Sequence, residues 1–173
     1  MSANAGARQP DPVSRHLPWA GCFNARDLGG LPTTSGGRTQ WRSVIRSDTL
    51  SRLKAPAQTA VIAYGVRTVI DLRSAQEVLA EPSDFTAQTE SIERLTYLNL
   101  PLERHDPEVS RLVQRAQSRA EIYAIMLDHN APAVSAVLRA IASAGKGGLI
   151  IHCHAGKDRT GIVAAMLLAL ADV

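Results

Sequence analysis

The sequence predicts an α/β fold with a mostly parallel central sheet flanked by helices, and three observations carry that prediction. Runs rich in β-branched residues, around Val69-Ile70 and Leu149-Ile150-Ile151, alternate with segments whose apolar residues recur at helical spacing. The run Leu149-Ile150-Ile151 has no polar interruption and follows a glycine-rich break at 145–148, the pattern of a strand buried on both faces. Beyond Thr160 the chain is apolar nearly all round a helix, which predicts a buried helix directly after that strand.

Along the chain, residues 1–20 read as a flexible arm rich in Ala, Pro, Ser and Arg, leaving a single domain over 21–173. Turn signals at Asp27-Leu28-Gly29-Gly30 and Ser35-Gly36-Gly37 bracket a small hairpin before Trp41. Arg42 to Arg46 is a short strand, and Ala57 to Tyr64 a helix ended by Gly65. Val66 to Leu72 is a strand, followed by a helical turn at Ala75 to Ala80 closed by Pro82. Ile92 to Leu100 is another strand, stopped by Pro101. Between Glu108 and Leu127 the residues Val109, Leu112, Val113, Ala116, Ala120, Tyr123 and Leu127 mark one helix. Asn130 is expected to cap the next, with Pro132 in its first turn and Val134, Val137, Leu138 and Ile141 as its stripe.

Composition narrows the function classes. The chain has 173 residues, 45% apolar and 20% charged, which suits one domain with an ordinary core. Its net charge of +3 fits anionic substrates but is too small and dispersed for nucleic acid. Cys22 and Cys153 lie far apart, with neither zinc-ligand spacing nor enough partners for a disulfide framework. No metal and no cofactor are therefore expected, and a reducing, cytoplasmic setting is. No basic segment followed by an apolar run marks a secretory leader. The most apolar stretch, Ile162 to Leu170, is too short to span a bilayer.

The chemistry concentrates in His152-Cys153-His154-Ala155-Gly156-Lys157-Asp158-Arg159-Thr160-Gly161. Strand, loop and helix in this order place residues 153–159 at the carboxyl end of the sheet, where open α/β sheets bind ligands. The following helix directs its free N–H groups and positive dipole end at the loop, favouring an anion. Gly156 lets the backbone curl so that successive N–H groups converge on phosphate oxygens. Arg159 adds a planar fork for two of those oxygens. In such surroundings a thiol ionises readily, making Cys153 a nucleophile toward phosphorus, with a phosphocysteine intermediate. Thr160 is placed to donate to the sulfur and His152 to orient the loop. A cysteine at an apolar strand end is more often a small core residue. Here, however, glycine at the third position after it, arginine at the sixth and Thr-Gly next coincide. The glycine and lysine spacing of nucleotide-hydrolase phosphate loops is absent.

This loop resembles the signature of the protein-tyrosine phosphatases, and its Lys157-Asp158 pair resembles the bacterial branch with an H-C-x-x-G-K-D-R-T-G loop. Asn24 to Gly30, Arg46 to Ser51 and Val69 to Ser74 are similar to that family too. The resemblance implies a cysteine-phosphatase fold acting on phosphotyrosine, with phosphoserine, phosphothreonine and phosphoinositides as further substrates. It implies Cys153 and Arg159 as catalytic residues and His154, Ala155, Gly156, Lys157 and Thr160 as substrate-binding ones. Lys157 would supply charge for a multiply phosphorylated head group. A sulfurtransferase, or a non-catalytic module for phosphate or phosphoinositides, is the alternative.

The general acid has three candidates: Asp158 in the loop, Asp71 at the carboxyl end of a predicted strand, and Asp106 after the Ile92 to Leu100 strand. Asp158 and Asp71 are preferred because both lie in family-like motifs. Arg73, Arg104 and Arg159 are the ion-pair partners expected for carboxylates that are not catalytic. Cys22 is expected to be a buried structural thiol, and Tyr97 and Tyr123 packing residues. His105 and His129 are expected at the surface or at caps, and Arg46 with Asp48 at the site wall. The chain ends one helix after the loop, where family members usually continue. The apolar far end of that helix is therefore expected to be covered by a further segment or by self-association.

Overall fold

The computed structural model describes residues 14–83, 95–103 and 106–173. In chain order the elements are β1 (Arg26–Asp27), β2 (Val44–Ser47), α1 (Ala55–Ala63), β3 (Val66–Asp71), α2 (Ala75–Ala80) and β4 (Thr96–Asn99). Then follow α3 (Pro107–Arg115), α4 (Arg119–His129), α5 (Ala131–Ala142), β5 (Gly148–His152) and α6 (Asp158–Leu170). The five strands form one sheet in the order β1-β2-β5-β3-β4. Only β1 runs antiparallel to its neighbour; β2, β5, β3 and β4 are parallel.

β5 is the central strand and every residue in it is buried. That explains its unbroken apolar sequence, because side chains pointing to either face meet a packed layer. Val69 and Ile150 face one core with Ile45, Leu50, Leu53 and Val61. Their sequence neighbours Ile70 and Ile151 face the other, with Leu72, Val137 and Val163. The sheet is thus covered by α1 and the N-terminal segment on one side and by α5 and α6 on the other.

Several predicted boundaries move, each for a local reason. Leu17 and Trp19 are buried, with Trp19 edge-on to Tyr64 at 5.7 Å between ring centroids, so packing begins ahead of residue 21. The rest of the predicted arm, 1–13, lies outside the described residues. The hairpin before Trp41 is present as a Pro32 to Arg38 antiparallel bridge turned at Gly36. α1 starts two residues early because Pro56 supplies a first-turn φ, and Gly65 at φ +105° ends it.

The single helix predicted over Glu108 to Leu127 is two. Ser118 accepts a hydrogen bond from the Glu121 N–H and starts α4 afresh, while Ala116 is extended. Asn130 does not cap α5 with its side chain; it donates to the Met126 carbonyl and closes α4 instead. The strand predicted from Ile92 is β4 over Thr96–Asn99, its first positions lying outside the described residues. α6 buries Thr160, Ile162, Val163 and Ala164 where it packs on the sheet, but Leu170 is 74% exposed. Full burial is therefore confined to the early turns, with Met166 and Leu167 partly buried against the same core. Among the described residues no helix is long and apolar enough to cross a membrane.

Candidate active site

β5 delivers Cys153 to the sheet's carboxyl edge, and α6 begins five residues later. Between them the chain curls with its carbonyl oxygens turned outward. His152 Nδ1 donates to the Cys153 carbonyl at 3.2 Å; a carbonyl only accepts, so that nitrogen carries the proton. The Thr49 N–H takes the His154 carbonyl at 2.9 Å. Asn24 Nδ2 reaches the Ala155 and Gly156 carbonyls, both at 3.1 Å, and Arg46 Nη2 the latter at 2.5 Å. Among the described residues every peptide is trans, and a trans peptide points its N–H opposite to its C=O. The N–H groups of His154, Ala155, Gly156 and Lys157 are accordingly directed away from these outer partners, toward the concave side of the loop. Such a nest of amides attracts an anion.

Gly156 is required twice over. Its φ is +64°, and a Cβ there would stand 2.4 Å from the Ser47 carbonyl oxygen. Cys153 lies beneath the loop, 3% exposed and not in a disulfide.

Arg159 is held end-on by Glu77 of α2, Nη1 to Oε2 at 2.6 Å and Nη2 to Oε1 at 2.7 Å. This pair leaves its Nε–H and outer N–H groups unspent on Glu77. The Arg159 hydrogen bonds hold the Glu77 carboxyl down to about 2, and Glu77 in turn raises the guanidinium further above its ordinary value. Ser74 fixes the glutamate: its hydroxyl accepts from the Glu77 N–H while Glu77 Oε2 accepts from the Ser74 N–H.

Asp158, in the first turn of α6, is partly exposed. Its Oδ1 accepts from the Tyr123 hydroxyl at 2.7 Å and from Arg119 Nη1 at 3.1 Å. A cavity of about 470 Å³ opens beside it, walled by Glu103, Val109, Val113, Arg119 and Tyr123.

The sequence profile of the tyrosine phosphatase family matches residues 17–173, nearly the whole chain. The chain belongs to the tyrosine phosphatase family. It is 35% identical to a tyrosine-protein phosphatase of Nostoc commune over 129 residues, which cover 75% of this chain and 43% of that protein. It is 31% identical to a candidate tyrosine-protein phosphatase of Cupriavidus necator over 157 residues, 87% of this chain and 55% of the relative. The chain thus spans about half the length of the curated relatives it matches.

The carboxylates of the two other acid candidates are engaged by other partners. Asp71 is completely buried, its carboxylate held by Arg73 Nη2 at 2.7 Å, by Arg73 Nε and N–H, and by the Tyr97 hydroxyl at 2.6 Å. Burial alone would raise its pKa, but the hydrogen bonds from Arg73 chiefly, with that from Tyr97, hold it below the usual carboxylate range. A carboxyl kept ionised and walled in cannot readily carry a proton to a substrate. Asp106 accepts from the Glu108 N–H and caps α3. Burial pushes the His152 imidazole down, so it is neutral; its Nε2 lies 3.6 Å from Asp71, beyond hydrogen-bond reach.

The bond expected from Thr160 to the Cys153 sulfur is absent: Oγ1 is buried without a partner among the described residues. Cys22 is buried as expected, and burial pushes its thiol up to about 11. Arg46 and Asp48 do wall the site, but separately. Asp48 accepts from the Phe23 and Asn24 N–H groups and from Arg52, fixing the segment from which Asn24 reaches the loop. His105 and Arg104 lie outside the described residues.

Sequence reasoning missed Glu77, Asn24, Tyr123 and Arg119. For Glu77 a signal existed, since Ser74 and Glu77 have capping-box spacing ahead of an apolar pair. Asn24 stood inside a recognised segment without a role. Nothing local in the sequence announces that Tyr123 meets Asp158.

Proposed function

We propose that this chain hydrolyses phosphomonoesters, phosphotyrosine foremost, through a phosphocysteine intermediate on Cys153. The observation that carries the reading is the outward turning of four consecutive loop carbonyls, which leaves four amides and Arg159 for the equatorial oxygens of a phosphoryl group. The Cys153 sulfur attacks phosphorus as the P–O bond to the alcohol breaks. Asp158 supplies the proton to the departing oxygen, then takes one from the water that hydrolyses the thiophosphate. Asp158 is favoured over Asp71 and Asp106 because it is partly exposed and its hydrogen bonds to Tyr123 and Arg119 both fall on Oδ1.

The exposed Lys157 beside the loop supports a wider range, including phosphoinositides and phosphoserine or phosphothreonine. A nucleophilic thiol suits a reducing, cytoplasmic setting.

Hydrolysis of an aryl phosphate in the presence of a chelator tests the reading. Activity is expected in the unmodified chain and absent in Cys153→Ser. Turnover that persists in the serine variant refutes the mechanism, and phosphate binding without turnover in the unmodified chain favours a non-catalytic module.

A further inference from the structure

We infer that Tyr123 and Arg119 are positioning residues for Asp158, fixing which carboxylate oxygen carries the proton to the leaving group; this rests on Asp158 being the general acid. The two lie four positions apart in α4, so they share one helix face, and Ser118 fixes where that helix starts. Both donate to the same oxygen, Oδ1, at 2.7 Å and 3.1 Å. A carboxyl group with two donors on one oxygen bears its proton on the other. Oδ2 is therefore the acidic position, and the carboxyl plane is held by a phenol and a guanidinium from outside the loop. The Tyr123 phenol is raised above its ordinary value first by this bond to Asp158, so it stays a donor across the working range. The same three side chains line one cavity of about 470 Å³.

Positioning of an acid has a signature that packing does not share. Protonation matters for a poor leaving group such as the tyrosine phenolate and little for 4-nitrophenolate, which departs as the anion. Tyr123→Phe removes only the hydroxyl and keeps the half-buried ring. It is expected to lower kcat/KM on phosphotyrosine about tenfold while changing kcat/KM on 4-nitrophenyl phosphate less than about twofold. Tyr123→Phe combined with Arg119→Ala is expected to approach the leaving-group dependence of Asp158→Asn, and Arg119→Lys to restore part of the loss of Arg119→Ala.

The outcomes separate the two claims. If Asp158→Asn lowers kcat/KM equally for both substrates, Asp158 is not the acid and the inference falls with that reading. If Asp158→Asn is selective but Tyr123→Phe is neutral, or slows both substrates alike, the acid stands and the positioning role is overturned.

Discussion

At Gly156 two constraints coincide at one residue: a left-handed backbone, and a Cβ position occupied by the Ser47 carbonyl and the Asp48 amide. Gly156→Ala must move either the loop or β2, at a cost of about 1–3 kcal/mol. Its predicted result is loss of aryl phosphatase activity together with a lowered melting temperature. Glu77 gives a sharper test because its pKa is depressed. A carboxylate whose folded pKa lies near 2 adds stability above its unfolded value of about 4.3 and loses it as pH falls through the folded one. The melting-temperature gap between the unmodified chain and Glu77→Gln should therefore be widest near neutrality and close between about pH 4 and 2. The same variant frees Arg159 to drift, and kcat/KM is expected to fall about tenfold or more. An unchanged kcat/KM would show that Glu77 does not hold the clamp in solution.

Among the elements, β5, its loop and α6 are the most legible part of the sequence, since a buried strand, a glycine curl and an apolar helix each leave a local pattern. The three accompanying segments were visible as motifs, but their purpose was not. Asn24, Arg46 and Thr49 serve the loop from 105 to 132 positions away in sequence, holding its carbonyls. Contacts of that kind leave no periodicity. The break between α3 and α4 was hidden for the opposite reason: apolar spacing continues through Ala116 although the backbone does not, and only Ser118 with Glu121 marks the restart. Asn24→Ala tests the scaffold. Losing a donor shared by two carbonyls should cost about 1 kcal/mol of stability and lower kcat/KM more than that cost suggests. An unaltered kcat/KM, measured on an aryl phosphate, would mean the loop holds its shape without this strut.

For the molecule as a whole, the parallel sheet was predictable from alternating strand and helix patterns, whereas the strand order was not, because β2, β5 and β3 pair across long separations. Asp71 occupies a motif position whose surroundings the sequence does not show. It stands at the carboxyl end of β3 as predicted, yet it is sealed beneath the loop as the partner of the fully buried Arg73. Its role is to let that guanidinium lie inside the core, where it also reaches the Glu81 carbonyl. Asp71→Ala leaves a buried cation uncompensated and is predicted to destabilise the fold by about 3–5 kcal/mol in a denaturant titration. A near-neutral effect would contradict that assignment.

Everything proposed for the loop turns on phosphate passing through Cys153. The most direct measurement is a denaturing quench of the chain during metal-free turnover of 4-nitrophenyl phosphate, followed by peptide mass mapping. A phosphorylated peptide with the modification on Cys153 is expected, lost in Cys153→Ser together with turnover. Turnover with no phosphorylated Cys153 at any quench time, sustained in the serine variant, would contradict it.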